Sequence, residues 1–161
     1  MKATDKRIIE LLNEVLTAEL TAINQYFVHA EMSDNWGYEH RYEKVRHEAL
    51  AEMKHAEKLI ERILFLEGIP NVARLGTIVI GETVQEQLKA DLALERDAVA
   101  RLNPGIETCR GAGDNGSRIL LEEILESEEE HINWLEAQLA LIDQAGEQNY
   151  LAEQIRKEQE S

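Results

Sequence analysis

The sequence predicts an all-α protein: a four-helix bundle with a long crossover between its second and third helices and a short fifth helix near the C-terminal end. Three observations predict it. Apolar residues recur every three or four positions along four long stretches, which is the period of an amphipathic helix. Two prolines and nine glycines in 161 residues, with 43% apolar content, suit a helical globular chain and not a disordered one. Finally, the spacers between stretches one and two and between three and four are short, whereas about 15 residues separate stretches two and three, unusually many for a compact domain.

The first helix is predicted over 5–33, with Ile8, Leu12, Val15, Ile23, Tyr26 and Ala30 on one face. The second, over 38–66, carries Val45, Ala49, Ala56, Leu59 and Ile63. The third starts near Glu82 with Val84, Leu88, Leu92, Val99 and Leu102. Pro104 lacks a backbone donor and crowds the preceding turn, which predicts an end or a kink near Asn103. The fourth helix follows GAGDNGS, with Asn115 or Ser117 as its cap, and carries Leu121, Ile124, Leu125, Ile132, Leu135, Leu139 and Ile142. A fifth, over 147–157, follows Gly146. All of this forms one domain, 1–161, with the bundle over 5–142. GAGDNG also satisfies G-x-G-x-x-G, but a helix precedes it and no βαβ unit surrounds it, so it is read as a turn.

The connections set the topology. Helices of this size are roughly 40 Å long. DNWGYE permits only an antiparallel neighbour, and the same holds for the third and fourth helices. EGIPNVARLGTIVIG can reach roughly 50 Å when extended, enough to return along the bundle.

A formal net charge of −15 repels phosphates and attracts cations, which argues against a nucleic-acid partner. The single cysteine, Cys109, rules out an internal disulfide framework and suits a reducing compartment. The start of the chain lacks the apolar core of a signal peptide, and no stretch reaches the roughly 18 apolar residues of a membrane helix. A cytoplasmic protein without a membrane partner is expected.

Four carboxylates occupy the middle of apolar stripes instead of the polar faces. Glu19 lies among Leu12, Val15, Ile23 and Tyr26; Glu52 among Ala49, Ala56 and Leu59; Glu95 among Leu88, Leu92 and Val99; Glu128 among Leu121, Ile124, Ile132 and Leu135. Each helix contributes one. His55 and His131 follow Glu52 and Glu128 by three residues, at the edge of the same stripes. The Glu-x-x-His spacing alone is weak in a chain this rich in glutamate. Its stripe position is the stronger signal, because four carboxylates converging in an apolar interior repel one another and lose hydration. Two divalent cations would neutralise them. An oxygen and nitrogen donor set without thiolate favours iron or manganese, in the arrangement known for carboxylate-bridged two-metal bundles.

Over nearly its full length, including AELTAINQYFVHA, EMKHAEKLIERILFLEGIPN, LALERD, ILESEEEHINWLE and QNYLAEQIRKE, the chain resembles the bacterioferritins, haem-binding members of the ferritin-like di-iron family. The resemblance implies a ferroxidase centre of Glu19, Glu52, His55, Glu95, Glu128 and His131, with Glu52 and Glu128 bridging two irons. It implies oxidation of Fe(II) by oxygen or peroxide and storage of ferric mineral in a homo-oligomeric shell of 24 chains built from dimers. It further implies a haem b shared between two subunits and a ferredoxin that releases the iron.

Met53 lies about 100° round the helix from Glu52 and cannot face the same metals. It shares a second face with Leu50, Ile60 and Leu64, and the resemblance makes it an axial haem ligand. Tyr26, two turns beyond Glu19, is placed to exchange an electron with the metals. Asp91, one turn before Glu95, is expected to orient a ligand histidine. His47 resembles an inner-surface iron position of the family, although Ala51 stands where some relatives carry an aspartate. His29 and His40 are read as surface or packing residues. Two other functions share these features: a non-storing di-metal oxidoreductase of peroxidase or manganese-catalase type, and a haem carrier.

Overall fold

The computed structural model describes residues 1–3 and 5–155, and every regular element among them is a helix. These are α1 (Lys6–Asn35), α2 (Glu39–Phe65), α3 (Val84–Gly111), α4 (Asn115–Ala145) and α5 (Glu147–Gln154). The last two residues of the fifth helix expected from sequence, 156 and 157, lie outside the described residues. The α1–α2 and α3–α4 hairpins pack as pairs, α1 also facing α3 and α2 facing α4.

Three of the turns end their helices in the same way. A residue with positive φ (Gly37 at 85°, Glu67 at 61°, Gly113 at 72°) follows the helix. The next backbone N–H then closes on a carbonyl five residues back: Tyr38 to Ser33, Gly68 to Ile63, Asp114 to Cys109. This satisfies carbonyls that a helix end leaves open. At the α2 end the positive φ falls on Glu67 and not on the glycine beside it. Gly68 is needed for another reason, since a Cβ there would sit 2.8 Å from Ile9 Cδ1.

Two sequence expectations are corrected. α3 does not stop near Asn103 but continues through Pro104 to Gly111. Pro104 and Ala100, the residue whose carbonyl loses its donor, both lie on the exposed side, where water can take the bond. Beyond the proline, Ile106 and Cys109 are buried in the same apolar cluster as Leu102, and that packing holds the last two turns in place. The α4 cap is likewise neither Asn115 nor Ser117. Asp114 caps the helix, its Oδ1 accepting from Ser117 N at 3.0 Å and from Arg62 Nη2 of α2 at 2.6 Å.

The crossover runs along α1 and is pinned to it by a polar ladder at i, i+4 spacing. Asn13 Oδ1 accepts from Asn71 N (2.7 Å) and Asn13 Nδ2 donates to the Ile69 carbonyl (3.1 Å). Thr17 Oγ1 accepts from Arg74 Nε (3.1 Å) and Thr21 Oγ1 from Gly76 N (2.8 Å). Gln25 Oε1 accepts from Val79 N (3.0 Å) and His29 Nε2 from Gly81 N (3.1 Å). Extended backbone cannot satisfy itself as a helix does, and the Asn13, Thr21, Gln25 and His29 rungs supply it with partners, whereas the Thr17 rung holds the Arg74 side chain.

The core falls into three apolar clusters. One, around Ile8, Leu12, Leu59, Ile63, Leu102 and Leu121, fills one end of the bundle. Towards the other end lie a cluster around Leu88, Leu135 and Tyr150, and another around Ala22, Tyr26 and Val45. Every stripe carboxylate lies outside these clusters, in a polar layer in the middle of the bundle.

Candidate metal centre

Four helices each deliver one carboxylate to this layer, and all four are buried: Glu19 and Glu52 at 2% exposure, Glu95 and Glu128 at 1%. Their positions follow from helical spacing, because each lies one or two turns from core residues of its own stripe. The six residues singled out in the sequence fall into two overlapping sets. Glu19, Glu52, His55 and Glu128 offer ligand atoms all within 4.8 Å of one another, as do Glu52, Glu95, Glu128 and His131. Glu52 and Glu128 belong to both sets.

The hydrogen bonding is incomplete. His55 Nδ1 lies 3.3 Å from Glu52 Oε2, with Glu128 Oε1 at 3.3 Å and Glu19 Oε2 at 3.4 Å. His131 Nδ1 lies 3.0 Å from Glu95 Oε1, which also accepts from the Tyr26 hydroxyl. Three buried acceptors, Glu19 Oε2, Glu95 Oε2 and Glu128 Oε1, have no hydrogen-bond partner. Buried acceptors left open in this way are rare and costly. Oxygen and imidazole donors in two adjacent sets, with unsatisfied lone pairs between them, fit two divalent transition-metal ions and have no other evident use.

The electrostatics show the same strain. Burial, reinforced by the charge of Glu128 and opposed by His55, pushes the Glu19 carboxyl up to about 8. Burial alone would lower His55, but the carboxylates of Glu128 and Glu19 override it and raise the imidazole to about 9. Both shifts favour protons on the cluster at neutral pH. His131 is shifted the other way: burial lowers it, only partly offset by Glu48. Burial and then the charge of Asp91 keep the Tyr26 phenol far above its ordinary range.

The secondary candidates divide. Tyr26 is fully buried against Glu95, its ring edge-on to His131 at 5.3 Å. Asp91 does not touch either candidate ligand histidine. Its Oδ1 accepts from Gln25 Nε2 and His29 Nδ1, both at 2.8 Å, so it anchors the crossover ladder. His29 is therefore no surface residue: it is fully buried, and its Nε2 acceptor fixes the proton on Nδ1. His47 and His40 are exposed. Met53 is 45% exposed on the far side of α2 from the carboxylates, lining a groove with His47, Leu50, Ala51, Lys54 and Glu57. Leu64 on that face is also exposed.

Sequence reasoning missed three residues beside the cluster. Glu48, one turn before Glu52, brings Oε2 within 3.8 Å of His131 Nδ1, and Lys44, a turn earlier, donates to Glu48 Oε1 at 2.6 Å. Trp134 stacks on the His131 ring at 6.1 Å. The i, i+4 run of Lys44, Glu48 and Glu52 was the available signal.

Comparison with known proteins agrees with this picture. A family model described as a ferritin-like domain matches residues 9–145. A bacterioferritin of Mycobacterium leprae is 50% identical over 153 residues, 95% of this chain and 96% of its own length. One of Streptomyces coelicolor is 47% identical over 155 residues, covering 96% and 93%. One of Brucella melitensis is 44% identical over 146 residues, covering 91% of each.

Proposed function

The chain belongs to the ferritin-like family, among the bacterioferritins, and from that membership we propose that it oxidises Fe(II) at the buried carboxylate cluster and stores the ferric product as mineral. The observation that carries this reading is the pair of overlapping four-ligand sets with Glu52 and Glu128 in common. Two ions held side by side can supply two electrons together, which reduces oxygen to peroxide or peroxide to water. In this reading Glu52 and Glu128, common to both sets, would serve both ions, with Glu19 and His55 completing one set and Glu95 and His131 the other. Four carboxylate charges would balance two divalent ions, which offsets the burial and, after it, the charge of Glu128 that hold a proton on Glu19.

Tyr26 serves as a one-electron reserve. Its phenol stays neutral, so losing an electron requires losing a proton too, and Glu95 Oε1 is placed to take it.

The assembly proposed is a cytoplasmic homo-oligomer, a hollow shell of 24 chains built from dimers. Exposed apolar residues support a partner chain, Ile69 at 84% and Leu64 at 58% among them. Met53 of each subunit would help hold a haem b between two subunits. The open apolar face around it supports this, as a lone thioether in the core would not. His47 as a further iron position rests on resemblance alone, since Ala51 offers it no oxygen ligand. A ferredoxin as the reductant that releases iron has the same standing.

The test adds Fe(II) under air to metal-free protein and counts the iron kept. Storage predicts many more ions per chain than the two sets can hold. A particle that oxidises iron but keeps no more than that is a non-storing oxidoreductase. Glu128→Ala should slow oxidation strongly, because it takes one ligand from both positions. Met53→Leu should abolish the haem Soret band while leaving the particle size unchanged.

A further inference from the structure

On the His131 side of the cluster, one face of α2 forms a graded path to the surface. His131, Glu48 and Lys44 have side-chain exposures of 4%, 13% and 33%. Glu48 belongs to neither four-ligand set, yet one of its oxygens lies 3.8 Å from His131 Nδ1 and the other accepts from Lys44 Nζ at 2.6 Å. The Lys44 ammonium also lies 5.1 Å from the centre of the Trp134 ring, and Trp134 is stacked on His131. A fixed positive charge beside a cation site is unfavourable unless something else in the site uses it. Its two contacts, a carboxylate and an aromatic face, are both groups that hold cations.

We propose that Lys44 is a resident counter-ion for Glu48, displaced by each divalent cation that passes between the centre and the solvent on this side, with Glu48 as the transit ligand. A divalent ion sheds its water in steps, and a carboxylate partway along the path replaces part of that shell. Left bare, Glu48 would hold the ion and retard its transfer to His131 and Glu95. Paired with an ammonium on a flexible four-carbon stem, it is neutral until an ion arrives and is reclaimed once the ion has moved on. Lys44 is thereby a positioning residue for cation transfer and makes no contact with the six residues of the two sets.

The inference rests on the cluster being a metal centre, and one experiment separates the two. Full-length, metal-free protein is mixed anaerobically with Co(II), and the cobalt absorption bands report loading rate and stoichiometry without any oxidation. Lys44→Gln should slow loading about two- to fivefold, on the order expected when one partly exposed ion pair is removed, and Lys44→Arg should restore it. Glu48→Gln should slow loading, and adding Lys44→Gln to that variant should have no further effect. Thermal unfolding of the metal-free variants checks that each is folded. If Lys44→Gln loads at the wild-type rate, or still alters the rate when Glu48 is already Gln, the counter-ion role is overturned. If wild-type protein takes up no cobalt, the metal-centre reading falls with it.

Discussion

Loading the centre of metal-free protein with a divalent metal at pH 7 should expel between about one and two protons per chain. Ligation needs Glu19 as a carboxylate and His55 as a neutral imidazole, and neither is in that state when the site is empty. Glu19, pushed up to about 8, is about nine-tenths protonated at pH 7, and His55, at about 9, is almost fully so. The two groups titrate as a coupled pair, since His55 owes part of its rise to the Glu19 charge, so metal binding displaces between about one and two protons in all. Calorimetric titration with Zn(II), which undergoes no redox reaction, in two buffers of different ionisation heat measures the number directly. The apparent affinity should rise by up to about a hundredfold per pH unit between pH 6.5 and 8, and the release should fade above pH 9 as both groups deprotonate unaided. Glu19→Gln should lower the count to about one. A release below half a proton at pH 7 would show that the empty centre already carries its charges, and the account of how it tolerates four buried carboxylates would then be wrong.

The same shifts predict that metal-free protein loses stability as pH rises. Both folded values lie above the ordinary 4.5 and 6.5, so the extra stability is complete below those values and disappears as pH passes about 8 for Glu19 and about 9 for His55. Between pH 6.5 and 8 each group alone gives a loss of about 2 kcal/mol, visible as a falling urea midpoint that metal restores and Glu19→Gln flattens. Asp114→Ala removes the α4 cap and the carboxylate partner of Arg62 together and should cost about 1–3 kcal/mol, read from the same denaturation curves. Gly81→Ala should destabilise more than Gly116→Ala. The new Cβ at 81 meets the Gln87 backbone nitrogen at 2.5 Å, whereas at 116 it meets the movable Arg62 guanidinium at 2.6 Å. Equal melting temperatures for these two variants would refute that ranking.

The four stripes and the six candidate ligands were legible because each is a property of one helix: a carboxylate at a core position violates the local pattern wherever its partners lie. The end of α3 was not legible, because the rule for proline is local while the packing of Ile106 and Cys109 that overrides it is not. The α4 cap was missed by a short distance for a similar reason. Asp114 is confirmed as the cap by Arg62, 52 residues earlier in sequence. His29 and Asp91 were misassigned because their partnership spans 62 residues and carries no local signature. The ladder from Asn13 to His29 had a visible i, i+4 period. A polar stripe beside an apolar one normally reads as a solvated face, and nothing in α1 alone says that a crossover will cover it.

This ladder and the carboxylate cluster are the two large buried polar features of the bundle, and burial does not tell them apart. Thr21, Gln25, His29 and Asp91 are as inaccessible as Glu19, Glu52, Glu95 and Glu128. What separates them is satisfaction. In the ladder, Gln25 and His29 each give a hydrogen bond to Asp91 and accept one from the crossover, and the network closes on itself with the proton of His29 fixed in place. In the cluster, Glu95 Oε2 has no hydrogen-bond partner, Glu19 Oε2 and Glu128 Oε1 share only the ion-pair contact of one His55 nitrogen at 3.4 and 3.3 Å, and Glu19 retains a proton that an exposed carboxylate would have lost. Among the described residues the other buried side-chain atoms without partners are Arg41 Nε and Nη1, which are donors and cannot hold a cation. Among the described residues, buried acceptors short of a hydrogen bond are found only where the four helices bring their carboxylates together. A closed network stiffens a fold and an open one of this sign fits a cation, so the same helix α1 carries a structural polar face and, through Glu19, a share of the proposed metal centre.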